Sequence, residues 1–301
     1  MMNTSNLIKW LAVLSMLLLG NAQAEEVGFR YNGTQLQANL EKSDNWPAGP
    51  VVLLTHGTLA HNRMEIMSTL QELFAENGIS SLAINLSLGL NGRTSAMYDC
   101  ATPHVHRHED AVKEISAWVE WLKFEDVKNI VLLGHSRGGN QTARYAANAP
   151  DKAVSRVILL APQTWSEKYA ARDYEKRYGK PLQPILDKAL ALVRAGKGKE
   201  MLEHVDFIYC KDTSVSAEAF VSYYRPDPDM DTPRLLASIR LPVLLFVGSE
   251  DKVVSDLEEK LAALPEKPKN LEIVVMDGAD HFFRDLYAEE VVEKALEFMG
   301  K

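Results

Sequence analysis

Between residues 27 and 40 the chain alternates apolar and polar positions. Val27-Gly28-Phe29-Arg30-Tyr31 and Thr34-Gln35-Leu36-Gln37-Ala38-Asn39-Leu40 have the two-residue period that sends side chains to opposite faces of an extended backbone. Asn32-Gly33 separates them, and this dipeptide tolerates positive φ at both turn positions, so the pair predicts an antiparallel hairpin. The alternation then stops. Val51-Val52-Leu53-Leu54, residues 79–86, Ile130-Val131-Leu132-Leu133, Val157-Ile158-Leu159-Leu160, Val243-Leu244-Leu245-Phe246-Val247 and Ile273-Val274-Val275-Met276 are short unbroken apolar runs. Such runs suit strands buried on both faces, as in a parallel sheet. Residues 64–76, 109–123, 138–148, 255–263 and 285–299 lie between the runs and have helical spacing. This alternation of strand and helix predicts βαβ crossovers and an α/β architecture: a mostly parallel, doubly wound sheet behind an N-terminal antiparallel hairpin. The rhythm breaks once. Residues 163–240 offer no convincing strand, only amphipathic helical stretches punctuated by Gly179-Lys180-Pro181, Gly196-Lys197-Gly198 and Pro226-Asp227-Pro228. That stretch reads as a helical insertion between two sheet strands, not as an independent domain.

Composition changes the picture mainly at the N-terminus. Of 301 residues, 46% are hydrophobic and 25% charged, a balance that supports one large core. Lys9 is the only charged residue before Trp10, an apolar run follows, and Ala22-Gln23-Ala24 has the small-x-small form cut by signal peptidase. Residues 1–24 therefore read as a signal peptide and residues 25–301 as the exported domain, periplasmic in a Gram-negative cell and otherwise secreted. The apolar run falls short of the roughly 20 residues a spanning helix needs, so no stable membrane anchor is expected after cleavage. A net charge of −8 gives no sign of nucleic-acid or anionic-membrane binding. Export would put the two cysteines, Cys100 and Cys210, in an oxidising compartment where they can pair.

The chemistry is concentrated after the strands. Gly134-His135-Ser136-Arg137-Gly138 sits between the apolar run at 130–133 and a helical segment, where a sharp strand-to-helix turn would expose the Ser136 hydroxyl. A phosphate loop is the nearest alternative, but no Lys-Ser/Thr pair follows. Here the sequence resembles the α/β-hydrolase superfamily, most sharply at three separated motifs, with similarity running from about residue 50 to the end. The resemblance implies the order Ser, Asp or Glu, His along the chain. It points to Asp251 within Gly248-Ser249-Glu250-Asp251 as the acid and to His281 within Asp277-Gly278-Ala279-Asp280-His281-Phe282 as the base. Spacing favours Asp251 over its neighbour Glu250, and Asp280 is the other nearby carboxylate. His56-Gly57-Thr58-Leu59 is similar to the family's oxyanion turn and implies the backbone N–H groups of Thr58 and Arg137 as oxyanion donors, with His56 a packing residue. The turn lacks the HGGG form of many lipases and esterases.

His104-Val105-His106-Arg107-His108 invites a zinc reading, weighed against an exposed or substrate-facing turn; neither metal nor organic cofactor is expected. The insertion resembles a helical cap. Its aromatics, Trp165, Tyr169, Tyr174, Tyr178, Phe220, Tyr223 and Tyr224, would line an apolar cavity or pack the cap helices together. A Cys100–Cys210 bridge would pin that cap. The resulting expectation is an exported serine hydrolase acting on a small acyl substrate. It would cleave an ester, less readily a thioester or amide, through an acyl-enzyme on Ser136. Its rivals are an acyltransferase using the same triad and a binding module that kept the fold.

Overall fold

Ten strands and nine α-helices form in the computed structural model, which describes residues 24–148 and 150–300. The expected signal peptide, apart from Ala24, lies outside the described residues. β1 (Glu25–Tyr31) and β2 (Thr34–Glu41) make the hairpin around Asn32-Gly33, both residues at positive φ. The apolar runs become β3 (Val51–Thr55), β4 (Ser80–Asn85), β5 (Ile130–His135), β6 (Val154–Leu160), β9 (Val243–Gly248) and β10 (Leu271–Met276). Together they form one eight-stranded sheet of order β1-β2-β4-β3-β5-β6-β9-β10. Every neighbouring pair from β4 to β10 is parallel, while β1 with β2 and β2 with β4 are antiparallel.

The unbroken runs of β3, β4, β5, β6 and β9 exist because both sheet faces are covered; β10 is an edge strand, and Val275 in its run is 47% exposed. Val52 and Leu54 of β3, with Val131 and Leu133 of β5, pack under α1 (Glu65–Glu76) and α9 (Leu286–Met299). Their alternates Val51, Leu53, Ile130 and Leu132 face α2 (Asp110–Phe124). Further along that face, Val157, Leu159, Val243 and Leu245 pack with α3 (Arg137–Ala147) and α8 (Leu257–Ala262). From β3 the chain goes to β4 on one side and then to β5 on the other. An α/β sheet leaves a crevice at such a reversal, beyond the C-terminal strand ends.

The insertion between β6 and β9 is not wholly helical, which corrects the sequence reading. It contains α4 (Glu167–Tyr178), α5 (Gln183–Arg194), α6 (Ala217–Tyr224) and the short α7 (Thr232–Leu235). It also contains an antiparallel pair, β7 (Met201–Phe207) and β8 (Cys210–Ser216). Two local features hide that pair. Its two-residue turn, Ile208-Tyr209, puts a β-branched residue at positive φ instead of Asn or Gly. Register shifts interrupt the ladder, with His204 and Asp212 also at positive φ, so side-chain alternation is lost.

The cap is tied to the loop after β4. Cys100 and Cys210 are bonded, Cα–Cα 5.3 Å, and the Thr213 hydroxyl donates to the Cys100 carbonyl at 2.7 Å. His104 pairs with Val215, its N–H donating to Ser214 O at 2.8 Å and its carbonyl accepting from Ser216 N–H at 2.9 Å.

Candidate active site

Ser136 stands between β5 and α3 with φ 58° and ψ −123°, a conformation that costs a non-glycine residue about 1–3 kcal/mol unless its surroundings impose it. The surroundings do impose it. Its N–H donates to Leu160 O at 2.9 Å, and its carbonyl accepts from the N–H groups of Gly139 (3.0 Å) and Gln163 (2.9 Å). The flanking glycines are required by space. A Cβ on Gly134 would lie 2.5 Å from Gly138 O and Thr142 Oγ1, and one on Gly138 would lie 2.5 Å from Thr55 O and closer still to the His56 carbonyl.

The three dispersed candidates converge. His281 Nε2 lies 2.9 Å from Ser136 Oγ, and His281 Nδ1 lies 2.7 Å from Asp251 Oδ2. A carboxylate accepts only, so the Nδ1–H donates to Asp251 and leaves Nε2 as acceptor for the serine hydroxyl. Asp251 Oδ1 also accepts from the N–H groups of Val253 (2.7 Å) and Val254 (2.9 Å). Burial alone would raise the Asp251 pKa, but the His281 hydrogen bond and charge, with those two amides, outweigh it and hold the pKa below 3.8. Ser136, Asp251 and His281 are each at most 9% exposed. The neighbouring carboxylates are engaged differently: Glu250 is exposed, while Asp280 accepts from Phe282 N–H at 2.8 Å and from Arg284 Nη1 at 2.9 Å.

The turn after β3 approaches the serine closely, since a Cβ on Gly57 would come 3.1 Å from Ser136 Cβ. Among the described residues, the amides of Thr58 and Arg137 meet no hydrogen-bond acceptor, and both residues line the same cavity as Ser136. The Arg137 Nε–H donates to Thr58 Oγ1 at 2.9 Å, joining the two loops. His56 holds the turn: Nδ1–H donates to Gly57 O at 2.9 Å and Nε2 accepts from Leu86 N–H at 3.1 Å. Burial lowers its pKa to about 3, as this neutral, one-donor arrangement requires.

One contributor escaped the sequence reading. His135 Nε2–H donates to the backbone carbonyl of His281 at 2.8 Å, so the residue before the serine anchors the loop that carries the histidine. Only its position inside the motif hinted at this. Desolvation and then the nearby His281 lower the His135 pKa to about 3, keeping it uncharged beside its neighbour.

A family of matching description, serine aminopeptidase S33 of the Hydrolase_4 group, aligns with residues 47–284. The chain belongs to this α/β-hydrolase family. Its fold is shared by Est1E from Butyrivibrio proteoclasticus, 22% identical with a TM-score of 0.62, covering 92% of this chain and 99% of that one. It is shared too by the α/β hydrolase GrgF from Penicillium sp. sh18, 19% identical with a TM-score of 0.67, covering 92% and 98%. A Paleococcus ferrophilus monoacylglycerol lipase is 22% identical with a TM-score of 0.56, covering 87% and 96%. A probable 1-acylglycerol-3-phosphate O-acyltransferase from Oryza sativa subsp. japonica is 33% identical over 79 residues, which span 26% of this chain and 18% of that protein.

The hydrolase cavity, about 420 Å³, opens from Ser136 outward between the cap and the loop after β9. Of the seven cap aromatics, Trp165, Tyr169, Tyr223 and Tyr224 line it, while Tyr174 and Phe220 are buried in cap packing and Tyr178 meets Tyr174 edge to face. The expectation of an apolar cavity is only half met, because arginine and lysine side chains share the lining. The histidines of the 104–108 segment are buried, neither exposed nor part of that lining. His104 Nδ1 meets His106 Nε2 at 3.2 Å, and His106 Nδ1 meets the Tyr223 hydroxyl at 2.8 Å.

Proposed function

We propose that this hydrolase is an exported serine esterase that works through an acyl-enzyme on Ser136, with His281 as general base and Asp251 as its orienting partner. The observation that carries the reading is the unbroken hydrogen-bond path from Asp251 Oδ2 through His281 to Ser136 Oγ. Ser136 Oγ adds to the ester carbonyl carbon while its proton passes to His281 Nε2. The tetrahedral oxyanion is received by the amides of Thr58 and Arg137, each worth about 10²- to 10³-fold in turnover by analogy with other acyl-transfer sites. Collapse breaks the bond to the alcohol oxygen, which leaves with the His281 proton. Water then repeats the sequence, giving its proton to His281 and its oxygen to the acyl carbon, and Ser136 recovers its hydrogen. Asp251 stays ionised throughout and stabilises the imidazolium.

Acyl transfer to an alcohol would use the same atoms, with the acceptor hydroxyl in place of water; the short stretch shared with the rice acyltransferase keeps this second reading in play. Export is supported by the bonded Cys100–Cys210 pair, a bond that persists in oxidising compartments. The test is rapid quenching of a p-nitrophenyl ester reaction followed by peptide mass spectrometry. An acyl adduct on Ser136 that disappears in Ser136→Ala supports the reading, and ester turnover that survives in Ser136→Ala overturns it.

A further inference from the structure

The chain as a whole is acidic, with a net charge of −8, yet its cavity is lined by Arg137, Arg172, Lys176, Arg177 and Lys252 against the single carboxylate of Asp173. Asp173 is already engaged by Arg177 at 3.2 Å. Arg137, Arg172, Lys176 and Lys252 make no ion pair with a carboxylate among the described residues. The sorting is visible on one helix. On α4, Arg172, Lys176 and Arg177 line the cavity together with Asp173, while Glu167, Lys168 and Glu175 are not part of the lining.

Arg137 differs from the rim cations because it is part-buried beside Ser136. Its Nε–H is held by Thr58 Oγ1, and its guanidinium lies over the Tyr223 ring at 4.9 Å. Its Nη1 is buried and meets no acceptor among the described residues. A buried charged donor without a partner is costly, and the cost is relieved when an acceptor arrives. A fixed guanidinium at the floor and unpaired cations at the rim together form a path for negative charge. A cleft lined mainly by one sign of charge focuses the field and selects ligands by charge.

We infer that the natural substrate is an ester carrying a further anionic group, a carboxylate or a phosphate, away from the scissile bond, with Arg172 and Lys176 drawing it in and Arg137 receiving it. This rests on the proposed esterase activity and names its substrate class. The anion would sit either on the acyl portion or on the alcohol, and matched pairs of esters distinguish the two. Mono-p-nitrophenyl glutarate is compared with p-nitrophenyl pentanoate for the acyl side. The butanoate ester of p-hydroxyphenyl phosphate is compared with phenyl butanoate for the alcohol side.

At low ionic strength the charged member of at least one pair should have a kcat/KM about 10-fold or more above its neutral partner. That ratio should fall toward one at high salt, where the screening length shrinks to about 3 Å. It should also fall toward one in the double variant Arg172→Gln/Lys176→Gln, with an unchanged melting temperature showing that the variant is folded. Neutral members turned over as well as or better than charged ones in both pairs would overturn the inference and leave the esterase reading standing. A charge preference that survives intact in the double variant would also overturn it. No turnover of any ester, with no acyl adduct on Ser136, would overturn the esterase reading and this inference with it.

Discussion

The hydrogen-bond geometry at Asp251 makes a specific demand on a conservative substitution. Asp251 accepts the Nδ1–H of His281 with Oδ2 and the amides of Val253 and Val254 with Oδ1. An amide at this position would keep the second function and present an N–H group to Nδ1, forcing the other imidazole tautomer. Nε2 would then carry a hydrogen toward Ser136 and could no longer accept its proton. Asp251→Asn should therefore lower kcat by about 10⁴-fold, as in other Ser-His-Asp sites, with little change in folding. Steady-state kinetics on a p-nitrophenyl ester, with circular dichroism to verify the fold, checks this. Loss of less than tenfold would mean that the tautomer is not fixed by this carboxylate.

At the scale of elements, the strand-to-helix turn is the part most sensitive to a single methyl group. Gly138 lies against the carbonyls of Thr55 and His56, so Gly138→Ala must push α3 away from the end of β3. Overpacking of this kind costs about 1–3 kcal/mol. Because the same displacement moves the Arg137 amide relative to Thr58, activity should fall further than the fraction unfolded accounts for. Denaturant titration alongside kcat measures both. Most of this architecture was legible beforehand, because a strand buried on two faces must be apolar throughout, and Asn32-Gly33 is a turn with a backbone reason. The motif around Ser136 was readable for a steric reason of its own, while Asp251 and His281 were readable through the resemblance to the α/β-hydrolase order of acid and base, supported by their places after β9 and β10. The β7–β8 pair was not, because its turn runs through Ile208 at positive φ and its bulges erase the alternation that marks a strand. The anchoring bond from His135 to the His281 carbonyl was illegible because it joins residues distant in sequence through a backbone atom. The cationic lining was illegible because the spacing of Arg137, Arg172 and Lys252 along the chain says nothing of a shared cavity.

For the molecule as a whole, buried histidines set the response to acid. Burial lowers the pKa of His56, His106 and His135 to about 3 and of His104 to about 4, and it holds His108 well below the usual value. In the unfolded chain each would take up a proton below about pH 6.5. The unfolded state thus binds more protons, so the stability these groups contribute is complete above pH 6.5 and is lost as the pH falls from there toward their folded values. Each histidine that gains a proton on unfolding adds a slope of about 1.4 kcal/mol per pH unit. Asp251, whose folded pKa is depressed below 3.8, adds a second loss in the same direction at lower pH. The melting temperature should accordingly fall steeply between pH 6.5 and pH 4, and a flat profile across that interval would mean that these imidazoles are not held neutral. The central claim, that Ser136 is an activated nucleophile, is tested most directly by a fluorophosphonate probe on the purified protein. Labelling approaching one probe per chain, mapped to Ser136 and lost in both Ser136→Ala and His281→Ala, is the predicted result. A folded wild-type protein that takes up no probe, or takes it up at another residue, would contradict the account.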